Sequence, residues 1–170
     1  MDAIFLWKNY FAKEQTKDIY SLLHSVPMFE QLSRSDLKAV ERILHRRSYA
    51  AGEYIFRQGE PGLGMYIVQE GEVSVFIEQS KHEIVRLTDG EFFGELGLLT
   101  EHPRIASAKA AVETKLFGFF QPDLFSLIET RPRIGVSVVM NLSRIIAERL
   151  HHATLENKIL HEQLSTAFQK

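Results

Sequence analysis

The sequence predicts an α+β fold: an antiparallel β jelly-roll barrel flanked by N-terminal helices and a long C-terminal helix. Three observations carry that reading. The apolar period is helical over residues 1–47, becomes two over 48–120, and is helical again over 121–170. In the middle zone turn residues recur every eight to twelve positions, as they do where many short strands close into a barrel or roll. No helical stretches alternate with those strands, which argues against a parallel α/β sheet. The chain has 170 residues, enough to bury about 70% of its unfolded surface, so the three zones read as one domain.

In the first zone Ile4, Trp7 and Phe11 recur at helical spacing, as do Leu37, Val40 and Leu44. Ser33 and Asp36 match a capping box, in which the hydroxyl accepts from the backbone and the carboxylate reaches back. The aromatic residues Phe5, Trp7, Tyr10 and Phe11 read as a helix packing on its own domain. Strands are expected at 54–56, 65–68, 73–77, 84–87 and 115–119, with turns at Gly52, Gly59, Gly71 and Gly90. Pro122 suits a first helical turn, and Pro132 separates a short helix from a long one expected over 134–167. Along that helix Leu150, Ala153, Asn157, Leu160 and Leu164 alternate steps of three and four, with Asn157 at an a position. This is the rhythm of a two-stranded coiled coil, and a parallel homodimer is expected through it. An amphipathic helix docked on its own domain is the alternative.

Composition narrows the function classes. Twenty basic and twenty-two acidic residues leave a formal charge of −2, without the basic footprint of a nucleic-acid module. The absence of cysteine excludes disulfides, thiolate metal sites and cysteine nucleophiles. The seven histidines form no His-x-His or His-Glu-x-x-His spacing, so no metal site is expected. Neither a nucleophile elbow nor a Walker loop occurs, and the chain is expected not to be an enzyme. No stretch approaches the ~20 apolar residues of a membrane span, and the N-terminal apolar run is too short for a signal peptide. A cytoplasmic protein without membrane contact is expected.

The chemistry concentrates between Gly90 and Ala108. Gly94 and Gly97 bracket Glu95, and a helical turn is expected over 96–100. Backbone N–H groups that open such a turn form an anion cradle. Arg104 adds a planar fork suited to gripping two phosphate oxygens. A carboxylate beside a phosphate needs another task, and accepting from a ribose hydroxyl is one. Pairing of Glu95 with Arg104 across the loop is the purely structural alternative.

The motifs also occur in a telling order. Pro27-Met28-Phe29 is followed by Ala51-Gly52-Glu53-Tyr54-Ile55, Met65-Tyr66-Ile67-Val68 and Gly71-Glu72-Val73. Phe93-Gly94-Glu95-Leu96 and Pro103-Arg104-Ile105-Ala106 complete the set. Over residues 27–155 this resembles a cyclic nucleotide-binding domain of the catabolite-activator type. The resemblance implies that Glu95 accepts from the ribose 2′-OH and that Arg104 pairs with the cyclic phosphate. Gly94, Leu96, Gly97, Ile105 and Ala106 would shape the anion site and supply backbone donors. Val75, Ile84 and Val85 match positions lining the sugar and base pocket. Alignment through Ala147-Glu148-Arg149-Leu150 makes Arg149, Ala153 and Thr154 the candidates for covering the base from the final helix.

Two departures refine what the resemblance implies. Ile105 stands where many relatives have a small or hydroxylated residue, and a hydroxyl there often accompanies guanine recognition, so its absence favours cyclic AMP. Only some fifteen residues follow the base-covering position, so no winged helix-turn-helix and no reading of DNA is expected. The implied function is a non-catalytic sensor of cyclic AMP, or a related cyclic nucleotide, that signals to an unidentified downstream protein. A nucleotide-free dimerisation module, or the sensor part of a transcription regulator without its DNA-binding domain, are the alternatives.

Overall fold

In the computed structural model, residues 18–80 and 82–167 are described. The helical spacing of Ile4, Trp7 and Phe11, and the aromatic face with Phe5 and Tyr10, lie outside the described residues. Two short helices, α1 (Ile19–Ser25) and α2 (Arg34–Glu41), flank a 3₁₀ turn at Pro27–Phe29. The strands are β1 (His45–Tyr49), β2 (Tyr54–Phe56), β3 (Gly64–Glu70), β4 (Val73–Ile77), β5 (His82–Leu87), β6 (Phe92–Phe93), β7 (Ser107–Ala110) and β8 (Thr114–Phe120). They form two antiparallel four-stranded sheets, ordered β1-β8-β3-β6 and β2-β7-β4-β5, and build the jelly roll. Helices α3 (Gln121–Thr130) and α4 (Pro132–Ala167) follow, with Pro132 at the break between them.

The central strands β3 and β8 of the first sheet are buried on both faces, which is why they are almost continuously apolar. Met65, Ile67, Phe117 and Phe119 join the helices in one core, while Val68 and Leu116 join Ile55, Val73 and Ala108 in another between the sheets. This is the period-two alternation of a strand, used here to serve two cores. Each fully buried Leu or Phe contributes about 1.5–3 kcal/mol.

The first half of α4 is bolted to the N-terminal helices. Ile134, Val138 and Leu142, spaced by one turn, are buried in the same cluster as Met28 and Phe29. Buried Asn141 donates to the Met28 carbonyl at 3.2 Å and accepts from Arg144 at 2.8 Å, so both ends of its amide are satisfied. The capping box forms as expected, with Ser33 accepting from Asp36 N–H and Asp36 from Ser33 N–H. Asp36 also receives Arg133 of α4 at 2.6 Å, and that guanidinium, with Ser33, holds its carboxyl below the usual carboxylate range.

The structure corrects the expected boundaries. The helical zone ends at Glu41, and the β-roll opens at His45 rather than near 48. Strand β1 escaped the pattern because His45-Arg46-Arg47-Ser48 has no apolar alternation; it is an exposed edge strand, where charge is common. Strand β7 escaped because Ser107-Ala108-Lys109-Ala110 has low strand propensity. Ala108 and Ala110 are fully buried there, small enough to fit between closely placed elements. The turn after Gly94 is a 3₁₀ turn over Glu95–Leu98, one residue earlier than expected.

Candidate functional site

A cavity of about 830 Å³ opens between β4, β5, the segment 91–106 and the middle of α4, a size typical of small-molecule sites (about 300–1,000 Å³). Its floor depends on two glycines. Gly94 has a φ of +77°, and a Cβ there would stand 2.7 Å from Arg104 Nη1. At Gly97 a Cβ would lie 2.9 Å from both backbone N and O of Gly64. A side chain at either position would push the 3₁₀ turn away from the start of β3 and from Arg104.

Arg104 is seated by this packing. Its Nη1 donates to the Gly94 carbonyl at 3.1 Å and its Nη2 to the Gly64 carbonyl at 2.7 Å. The guanidinium lies 4.2 Å above the Phe56 ring, and Phe56, Tyr66 and Phe93 form an aromatic bed with centroids 5.6–6.1 Å apart. Burial lowers the guanidinium from its ordinary value, with Tyr66, Glu95 and Glu60 opposing the shift. Arginine nevertheless keeps its charge in proteins. Its Nε is buried and has no hydrogen-bond partner. An unpartnered buried donor on a cation is costly, and a hydrogen-bond acceptor brought to it would relieve that cost.

Glu95 and Arg104 do not share a salt bridge. The buried Glu95 carboxylate instead meets Arg149 of α4, with Nη1 to Oε1 at 2.7 Å. Arg149 in turn lies 5.0 Å over the Phe92 ring. The carboxylate expected to receive a ribose hydroxyl is thus tied to the helix, while the fork expected to receive a phosphate is tied to two backbone carbonyls, those of Gly94 and of Gly64 at the start of β3.

The structure brings Val75, Ile84, Val85, Gly94, Glu95 and Leu96 to the cavity. Gly97, Arg104, Ile105, Ala106 and Arg149 line it as well. Thr154 does not line it. Its hydroxyl donates back to the Leu150 carbonyl at 2.8 Å, and the helix around it is exposed, because α4 leaves the barrel beyond Arg149. Ala153 is likewise exposed and away from the cavity. The sequence reading missed Phe56, Leu87, Phe92 and Phe93, which also line it. The Phe92-Phe93 pair directly before Gly94 was the available signal. The nominated seam residues Leu150, Asn157 and Leu164 are exposed on α4, with Leu150 at 66% and Leu164 at 55%. Leu160 lies in the helix, and its side chain is outside the described residues. Leu155 and Ile159 are exposed too, on the opposite side of the helix at 100° per residue. Among the described residues no His, Asp and Glu cluster is arranged to hold a metal ion.

Comparison with known proteins agrees with this geometry. A family profile described as "Cyclic nucleotide-binding domain" matches residues 46–131. The chain is 35% identical over 137 residues to the cyclic AMP receptor protein of Thermus thermophilus, covering 79% of this chain and 62% of that protein. It is 40% identical over 107 residues to the cAMP-dependent protein kinase type II regulatory subunit of Drosophila melanogaster, covering 62% of this chain and 28% of the relative. The crystal structure of Thermus thermophilus catabolite activator protein superposes with a TM-score of 0.71 at 34% identity, over 79% of this chain and 62% of that one. The chain therefore spans only part of these relatives' length. The fold, the ordered motifs and the profile converge: this chain belongs to the cyclic nucleotide-binding domain family.

Proposed function

We propose that this chain is a non-catalytic, cytoplasmic regulatory module that binds cyclic AMP and passes the signal to a partner protein. The observation that carries the reading is the cavity holding both buried Glu95 and Arg104, whose Nε is buried and lacks a partner. A cyclic phosphate supplies the missing acceptor, and a ribose hydroxyl supplies a donor to Glu95. Ile105 offers no hydroxyl to a guanine, which supports adenine. Among the described residues no helix is long and apolar enough to cross a membrane.

The second part of the reading is that α4 pairs with its counterpart in a parallel homodimer. The three-four spacing through Asn157 and the exposure of Leu150 and Leu164 support it. Arg149 touches the site one residue before this seam begins, so ligand that displaces or tightens the Arg149–Glu95 pair shifts the helix that dimerises. Such coupling requires the two helix positions to differ in ligand affinity.

Thermal unfolding with and without cyclic AMP tests the reading. Ligand at a hundred times its Kd adds about 2.7 kcal/mol. For a chain of this size that raises Tm by about 5–11 °C. No shift at millimolar cyclic AMP would refute the proposed ligand.

A further inference from the structure

We propose that residues 4–11 of this chain dock back onto the outer face of α3 and α4, setting Ile4, Trp7 and Phe11 against Phe125, Val136 and Met140. The occupant is the chain's own N-terminal segment, which lies outside the described residues.

The receiving face is apolar and uncovered. Phe125 of α3 is 51% exposed, and Val136 and Met140 of α4 are 55% and 51% exposed. The two helices meet closely here, since a Cβ on Gly135 would lie 2.6 Å from the Ile128 Cα. Ile128 lies one turn after Phe125 and Val139 one turn after Val136, and both are partly buried against the core. Apolar surface therefore runs from α3 across the contact to α4.

The segment enters the described structure beside this face. Asp18 Oδ2 lies 3.8 Å from Nη2 of Arg34, the first residue of α2. Two residues on, Asp36 holds Arg133 at 2.6 Å, and Val136 follows Arg133 within one turn of α4. Residues 12–17 span up to about 20 Å when extended, enough to return from Asp18 to that turn.

The sequence of the segment matches the face in chemistry. Ile4, Trp7 and Phe11 recur at helical spacing, so a helix would carry them as one stripe about 10 Å long. Lys8, one turn after Ile4, borders that stripe, and Glu129, one turn after Phe125, borders the receiving face. A short tether also gives the segment an effective concentration of the order of millimolar, which a second copy at micromolar concentration does not reach. Phe125, on α3, lies outside the seam proposed for pairing of α4 with its counterpart.

Trp7 is the only tryptophan, so its fluorescence in the full chain reads the segment directly. Docking predicts blue-shifted emission and weak quenching by acrylamide, both unchanged on dilution from high to low micromolar concentration. Val136→Asp combined with Met140→Asp, and separately Phe125→Ser, should shift the emission to the red and raise the quenching constant several-fold. All three positions are exposed, and circular dichroism with a cooperative melt checks that each variant is folded. Wild-type Trp7 quenched as freely as tryptophan in water overturns the proposal, and so does shielding that neither variant removes. Shielding lost on dilution assigns the face to a second copy, and shielding that appears only with phosphatidylglycerol vesicles assigns the segment to a membrane. Either result overturns the proposal as well.

Discussion

Replacement of Arg104 by alanine separates the ligand contact proposed for this residue from the bridging of Gly94 and Gly64 that the structure shows. In the proposed ligand complex the fork would face a phosphate, and truncating one partner of a buried, hydrogen-bonded charge pair costs about 2–5 kcal/mol of binding. At about 1.4 kcal/mol per tenfold, affinity should fall by about 30- to 4,000-fold. The free protein loses something as well. Arg104 ties the Gly94 carbonyl to the Gly64 carbonyl and covers the Phe56 ring, so its removal releases β3 from the 3₁₀ turn. A carbonyl left buried without a donor costs about 1–3 kcal/mol. Removal of the unpartnered Nε offsets part of this, so a net loss of about 2 kcal/mol is expected, seen as a Tm lower by about 4–8 °C. Arg104→Lys should also bind poorly, since one ammonium cannot span two carbonyls and grip a phosphate as a fork does. Calorimetry for affinity and urea unfolding for stability read the two effects independently. Unchanged affinity in a folded Arg104→Ala protein would refute the phosphate role. Unchanged stability would refute the bridging role.

Three further outcomes follow from the same geometry. Arg149→Ala removes the cation held on buried Glu95, and hydrogen bonds to charged groups are worth about 1.5–3 kcal/mol, so urea unfolding without ligand should show a loss of that order and amide exchange should quicken near residue 149. Asp36 has its carboxyl lowered chiefly by Arg133, so the stability it contributes is complete above its unfolded pKa of about 3.9 and is lost as pH falls through the lower folded value. Asp36→Asn should therefore be less stable at pH 7 and show a shallower acid limb below pH 4, and urea midpoints measured from pH 7 to 3 that stay parallel to wild type would contradict this. Replacing Leu150 and Leu164 together with Asp should give monomers by light scattering and weaken ligand binding; a wild-type protein already monomeric at high micromolar concentration would remove the dimer from the proposal.

What the chain's own pattern determined is local in origin. Period two between punctuating glycines was enough for five of the strands, and Gly52, Gly59, Gly71 and Gly90 do take positive φ at those turns. The capping box at Ser33 and the break at Pro132 involve neighbours within one turn of chain, so their chemistry is legible residue by residue. The cassette with Glu95 and Arg104 was legible as a set of residue types at fixed spacing. Tertiary structure decided what those residues touch. Glu95 and Arg104 lie close in sequence and still do not pair, because Gly94 and Gly97 let β3 approach near enough to give Arg104 two carbonyls. Arg149 reaches Glu95 only because Asn141, Asp36 and the Ile134-Val138-Leu142 stripe fix the first half of α4 against the N-terminal helices. Strands β1 and β7 were likewise settled by their partners: β1 is held along β8, and β7 between β2 and β4, although neither has a strand-like composition. Propensity and period act over a few residues, whereas the choice of partner for a buried charge or a paired strand is a property of surfaces that the fold alone brings together.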